Sequence, residues 1–261
     1  MNKFGVLGFG KMGGAFARGV EDIYGKEKIS VYDSYAPSRE NAQKCGYNLV
    51  NSAKELFDSC GTILVSVKPQ DLAAALEGVD ANDKLVLSIA AGVTIKRLGK
   101  LLCGARIVRI MPNTCAEIKR CCSTVAFSAS VTENDKKEAF SILDALGGFV
   151  EVEEGEINDY LAVGGSFTAY MYLYLKRFAE SAAARGVDYK KALTLAAKTA
   201  AGSAEMVLTG EKPIDRLIKD VCSKGGTTIA GLEKLDVPEF GGAINACVNA
   251  CSDRAEELSE I

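Results

Sequence analysis

The sequence of 261 residues contains no histidine and no tryptophan. Without imidazole there is no Ser-His or Cys-His nucleophile pair, no proton shuttle of that kind, and no HExxH or zinc-finger site. Chemistry is left to a cofactor or to other side chains. A CxxC pair is also missing, although nine cysteines are present: Cys45, Cys60, Cys103, Cys115, Cys121, Cys122, Cys222, Cys247 and Cys251. An odd, scattered set supports neither a disulfide framework nor a zinc cluster, so no metal site is expected, and free thiols fit a reducing compartment. Neither sign of charge dominates, because 31 Lys+Arg stand against 34 Asp+Glu for a formal net charge of −3. Such a balance gives no field that gathers nucleic acid or an anionic membrane. No apolar run reaches the roughly 18 residues of a membrane span. The N-terminus opens on a strand-like run, Lys3 to Leu7, with no charged leader and cleavage site. These absences describe a cytoplasmic protein with neither nucleic acid nor membrane as partner.

What is present is apolar material, 48% of the chain, enough for a core in one large domain or two ordinary ones. The first half alternates β-rich runs with helical patterns. Phe4 to Leu7, Ile29 to Tyr32, Thr62 to Val67, Leu85 to Ile89 and Arg106 to Ile110 read as strands. That succession argues for a mostly parallel α/β sheet with helices on both faces. A strand Thr124 to Phe127, a helix Glu133 to Leu146 and a strand Phe149 to Val152 extend it, with Thr132 as N-cap and Gly147-Gly148 as helix stop.

From about Glu156 the pattern turns helical: Gly165 to Arg185, Tyr189 to Leu208, Ile214 to Val221, Thr227 to Leu235 and Phe240 to Leu258, divided by glycines and by Pro213 and Pro238. Two domains are expected, residues 1–155 and 156–261. In the first long helix Phe167, Tyr170, Met171, Leu173, Tyr174 and Phe178 cover more than one stripe, so this domain needs partners on several sides and is expected to form an oligomer interface.

Directly after the first strand comes Gly8-Phe9-Gly10-Lys11-Met12-Gly13, followed by a helical pattern. Strand, glycine turn, helix and an acidic residue, Asp33, about 20 residues further on together form the dinucleotide fingerprint of a Rossmann-type fold. Gly8 permits the tight turn, Gly10 lets a pyrophosphate approach the backbone, and Gly13 allows close helix–sheet packing, while the helix N-terminus faces the negative charge. Asp33 suits a ribose hydroxyl and hence NADH. Ser34, Ser38 and Arg39 suit the extra phosphate of NADPH if Asp33 turns away, so both cofactors stay open. Val67-Lys68-Pro69 and Ala90-Ala91-Gly92 lie just past strand ends, where open α/β sheets bind ligands, although Pro69 and Gly92 also read as plain turn residues. In Met111-Pro112-Asn113-Thr114, Asn113 offers an amide to a ligand or makes an Asx-turn.

A second glycine-rich segment, Ser223-Lys224-Gly225-Gly226-Thr227-Thr228, lies between two helices. Its N–H groups and hydroxyls suit a small carboxylate. Alternatively it is an interhelical turn capped by Thr227 or Thr228.

With these segments in place, the chain resembles the pyrroline-5-carboxylate reductase family. The resemblance runs nearly end to end through the opening glycine turn, Val67-Lys68-Pro69, Ser88 to Thr94, Met111 to Thr114 and, most specifically, Val221 to Ile229. It implies reduction of 1-pyrroline-5-carboxylate to proline with NADPH or NADH. It also implies a helical domain that interlocks with its copy in a homodimer, often assembled further into a decamer. The carboxylate of the cyclic imine is then held by Ser223, Gly225, Gly226 and Thr227, with Thr228 as the catalytic residue near the imine nitrogen. The cofactor is expected at Gly8, Gly10, Lys11, Met12, Gly13, Asp33, Ser34, Val67, Lys68, Pro69, Ala90, Ala91 and Asn113.

A protonated imine is already electrophilic, so hydride transfer needs alignment more than a strong acid, which suits a chain without histidine. The family pattern is broken at Phe167, Thr168, Cys115, Lys224 and Lys119-Arg120-Cys121. A related imine or β-hydroxyacid reductase, or a silent nucleotide-binding homologue, are the alternatives. The β-hydroxyacid option wants a lysine that Gly164 to Tyr170 lacks.

Overall fold

The computed structural model of the chain describes residues 3–259. The outermost residues of the two expected domains, 1–2 and 260–261, lie outside the described residues. Eight strands form one sheet: β1 (Phe4–Leu7), β2 (Ile29–Tyr32), β3 (Asn48–Leu49), β4 (Thr62–Val65), β5 (Leu85–Ser88), β6 (Arg106–Met111), β7 (Ser123–Phe127) and β8 (Phe149–Glu151). Their order is β3-β2-β1-β4-β5-β6-β7-β8. Every neighbouring pair is parallel except β6 and β7, which run antiparallel with Val108 opposite Phe127.

The central strands are buried on both faces, and the period of two divides their side chains between two cores. Phe4, Val6, Leu64, Leu85 and Leu87 enter one core with Phe16 and Ile142. Leu7, Ile63, Val65 and Val86 enter the other with Phe57 and Leu98. Phe4 pairs with Ile29 on one side and Thr62 on the other. The chain order therefore reverses between β1 and β4, and the crevice at their carboxyl ends is the switch point where open sheets bind ligands.

The strands after β3 end or begin within two residues of the sequence expectation, the largest difference being that β4 stops at Val65, before Ser66 and Val67. The pair β3 is new. Both of its residues are exposed, so no apolar alternation marks it. Thr132 caps the helix Glu133–Ala145 as expected and forms a full capping box with Asp135. Burial alone would raise the Asp135 carboxyl. Hydrogen bonds from the Thr132 hydroxyl and N–H and from the Arg106 guanidinium outweigh it and hold the group below the usual carboxylate range.

The helices that follow β8 are Leu161–Gly164, Phe167–Ala183, Tyr189–Leu208, Ile214–Asp220, Thr227–Leu235 and Pro238–Ser259. The compact units divide later than the expected boundary after residue 155. The first unit runs to Ser166 and takes in the chain from Cys251 onward, and the second is Phe167–Ala250. The residues around 156–166 stay with the sheet for a physical reason: Ile157 is fully buried beside Met111 and Ala126, and Ala162 is buried too. Within the second unit Ala179 is the only buried residue, while Tyr172, Leu195 and Leu208 are exposed. All nine cysteines are free. Among the described residues no helix is long and apolar enough to cross a membrane, and no group of His, Cys, Asp or Glu is arranged to hold a metal ion.

Candidate active site

At the end of β1 the backbone turns through Gly8 at φ +93°, a conformation side chains rarely adopt. Ser66, just past β4, fixes this corner: its Oγ donates to the carbonyls of Leu7 and Gly8, and its N–H donates to Leu7 O at 2.9 Å. A Cβ on Gly13 would lie 2.0 Å from the Gly8 carbonyl oxygen, so only glycine lets the helix Lys11–Gly19 start this close to the strand. Gly10 differs, because a Cβ there would meet nothing within 4 Å. Open space above a glycine that packing does not require is what a bound pyrophosphate needs. Gly10 is also the N-cap of the helix and gives it no side-chain cap, so first-turn N–H groups remain for an anion. Lys11 is exposed beside this turn, whereas Met12 packs on the core.

A cavity of about 680 Å³ opens on the switch point, walled by Gly8, Gly10, Asp33, Ser34, Ser66 and Lys68 among others. Asp33 faces the glycine turn. Its Oδ2 accepts the Phe9 N–H at 2.6 Å and its Oδ1 accepts the Tyr35 N–H at 2.8 Å. Arg39 Nη1 donates to the carbonyls of Asp33 and Ser34, each at 2.9 Å. Val67 also lines the cavity, and Lys68 precedes a 3₁₀ turn, Pro69–Asp71, in which Pro69 takes the first position.

Ala90 is buried with its N–H directed at Ser88 Oγ at 3.4 Å, and Ala91 is exposed. Gly92 has φ +74°, so it serves as a turn residue. Asn113 takes the Asx-turn option, because its Oδ1 accepts the Cys115 N–H at 3.0 Å. Its amide nitrogen donates to Gly164 O at 2.7 Å, which ties the loop after β6 to the start of the helical segment. Both ends of the Asn113 amide thus have protein partners. In the same loop, burial pushes the Cys115 thiol up, which disfavours the nucleophilic thiolate.

Sequence reasoning missed Ser66 and Arg109. Arg109, in the middle of β6, is almost fully buried, with Nη1 3.2 Å from Glu154 Oε1 and Nη2 3.5 Å from Asn158 Oδ1. The same Glu154 oxygen accepts the Ile95 N–H at the start of the helix Ile95–Leu101. One ion pair therefore anchors the segment that follows Ala90-Ala91-Gly92. An arginine inside a β-rich run, bracketed by Val108 and Ile110, was the available signal.

In the second unit Gly225 has φ +70° and the Gly226 N–H donates to Ser223 O at 2.9 Å, closing the turn. A Cβ on Gly226 would fall 2.3 Å from Ser223 Oγ. The helix Thr227–Leu235 opens at Gly226 with no side-chain cap. Neither Thr227 nor Thr228 is the N-cap, and both are exposed. The turn offers uncapped N–H groups and three hydroxyls, the donor set a carboxylate takes. This turn belongs to the second unit and the glycine turn at Gly8 to the first.

The fold and the glycine turn define a Rossmann-type NAD(P)-dependent oxidoreductase with a helical second unit. Residues 154–258 match the family described as pyrroline-5-carboxylate reductase dimerisation, and residues 3–92 match the one described as NADP oxidoreductase, coenzyme F420-dependent. The pyrroline-5-carboxylate reductase of Methanosarcina acetivorans is 35% identical over 99% of this chain and 98% of its own. Among solved structures, a pyrroline-5-carboxylate reductase from Coxiella burnetii superposes with TM-score 0.91 at 27% identity, covering 99% of this chain and 98% of its own. The Plasmodium falciparum pyrroline carboxylate reductase, crystallised with NADP bound, does so with TM-score 0.87 at 26% identity over 99% and 98% of the two chains. This chain belongs to the pyrroline-5-carboxylate reductase family and carries that family's dimerisation domain, the mark of an oligomer.

Proposed function

We propose that this protein reduces 1-pyrroline-5-carboxylate to L-proline with NADPH or NADH. One observation carries the reading: end-to-end likeness to these reductases is joined, in one chain, to an open dinucleotide turn at Gly10 and an uncapped donor turn at Ser223 to Thr228. When bound, NAD(P)H supplies the hydride. The N–H groups at Gly8 to Gly13 hold the pyrophosphate, Lys11 adds charge beside it, and Asp33 and Ser34 border the ribose. Val67, Lys68 and Pro69 flank the cofactor, while Ala90 and Ala91 give the nicotinamide a small, close wall. Asn113 acts on that wall indirectly, by holding its loop to Gly164.

Ser223, Gly225, Gly226 and Thr227 take the substrate carboxylate, and the Thr228 hydroxyl sits at the imine nitrogen and keeps its proton in place. No stronger acid is needed for an iminium carbon. Exposure of Thr227 and Thr228 in the single chain suits a site completed on assembly. We take the assembly to be a homodimer built by the helical domain, with five dimers forming a decamer, and nine free thiols suit a cytoplasmic setting.

The test is loss of reduced-cofactor absorbance with pyrroline-5-carboxylate, together with proline formation. Thr228→Ala is expected to lower kcat by about tenfold to a hundredfold, with cofactor affinity unchanged. Cofactor binding without turnover on this substrate contradicts the reading.

A further inference from the structure

We propose that the protein prefers NADH to NADPH and that Asp33 sets the preference. The inference rests on the dinucleotide-site reading above and concerns the same cavity.

Two arrangements of this corner are conceivable, one with Asp33 facing the ribose and one with Asp33 turned aside while Ser34, Ser38 and Arg39 take a 2′-phosphate. The geometry selects the first. Each carboxylate oxygen of Asp33 already accepts a backbone N–H, from Phe9 at 2.6 Å and Tyr35 at 2.8 Å. Turning the side chain away would break both bonds and release the glycine turn that Phe9 belongs to. A carboxylate has about four acceptor positions, so room for two ribose hydroxyl donors remains on the same oxygens. A 2′-phosphate brings no donor there, only more negative charge and more acceptors.

Three cations of this region stand outside the cavity wall: Arg39, and Lys11 and Arg18, which line a neighbouring cavity. Arg39 Nη1 is committed to the carbonyls of Asp33 and Ser34, and Arg39 is not part of the cavity wall. The charged groups that do form the wall are Asp33, Asp71 and Glu77 against Lys54 and Lys68. Lys54 is paired with Asp58 at 2.8 Å, which leaves Lys68 to offset three carboxylates. Ser34 and Ser38 supply hydroxyls that can bond a phosphate and cannot neutralise it. Like charges at contact distance therefore penalise NADPH and leave NADH untouched.

The experiment measures the affinity of the full-length protein for NADH and for NADPH by the fluorescence of the reduced nicotinamide, and kcat/KM for each with pyrroline-5-carboxylate. Wild-type protein is expected to favour NADH by about tenfold or more in both measurements. Asp33→Asn keeps the size and one acceptor oxygen but loses the charge, and Asp33→Ser makes more room. In both variants the NADH:NADPH ratio of affinities is expected to fall by about tenfold, chiefly through a gain for NADPH.

Wild-type preference for NADPH overturns the proposal. Equal loss of both cofactors in the two Asp33 variants also overturns it, since it makes Asp33 only an anchor of the turn. Tighter binding of NADH without turnover on pyrroline-5-carboxylate supports this proposal and contradicts the substrate reading instead.

Discussion

In the sheet unit Phe4, Phe16, Phe57 and Leu64 are fully buried, whereas in residues 167–250 Tyr172, Phe178 and Leu208 are exposed and Ala179 alone is buried. Both units are rich in apolar residues, so composition does not cause the difference. The sheet divides its side chains between two cores and covers both with helices of the same chain. The helices Phe167–Ala183 and Tyr189–Leu208 pack on one another, yet each still presents bulky side chains outward. An apolar surface of that extent calls for another protein surface, and the dimerisation domain names the partner as a second copy. The glycine turn at Gly8 therefore sits on a scaffold with its own buried cores, and the Ser223 to Thr228 turn on helices that leave their apolar side chains exposed.

The largest effect that can break this contrast is loss of assembly. Replacing Leu195 and Leu208 together with glutamate puts two charges on the exposed apolar face, a cost of roughly several kcal/mol once buried. Sedimentation is expected to show a monomer with reductase activity lowered by about a hundredfold or more, while NADH still binds. A variant that assembles and turns over normally removes these residues from the interface.

Next is Leu64→Ala, expected to cost about 2–5 kcal/mol in a transition whose midpoint is the same at any protein concentration. Leu195→Ala is expected to shift a concentration-dependent transition instead. Calorimetry at two concentrations reads both, and a concentration effect on the sheet unit contradicts its independence.

A smaller loss, roughly 2 to 3 kcal/mol, is expected for Glu154→Gln, which leaves the buried Arg109 guanidinium without its charged partner. Urea unfolding within experimental error of wild type would remove that pair from the account.

The smallest concerns Asp135→Asn, about 1 kcal/mol at neutral pH. The native carboxyl titrates below its unfolded counterpart, so its stabilisation is complete above the ordinary carboxylate range and vanishes as pH falls through the native value. The wild type and variant are expected to converge in acid. A gap that persists there makes the Asp135 effect one of packing.

Much of this was legible because it is local. Short β-rich runs at Phe4 to Leu7 and Leu85 to Ile89 marked strands, and the glycines from Gly8 to Gly13 between a strand and a helix marked the tight turn after β1. Most of what was hidden depends on residues far apart in the chain. Ser66 acquires its role only when β4 lies beside β1, and Arg109 only when Glu154 arrives beneath Ile95. Asn113 read as open to ligand or to its own turn until Gly164 supplied a second partner for its amide. The two-residue β3 carries too little pattern to see. The helix at Thr227 begins at Gly226, since a glycine opens a helix without a hydroxyl cap and so leaves the N–H groups for something else.

The most direct test of the account uses reduced cofactor deuterated at the transferring position, the chain, and pyrroline-5-carboxylate, with mass spectrometry of the product. The account predicts proline carrying one deuterium at the former imine carbon. Proline without the label, or no proline while the cofactor remains bound, would contradict it.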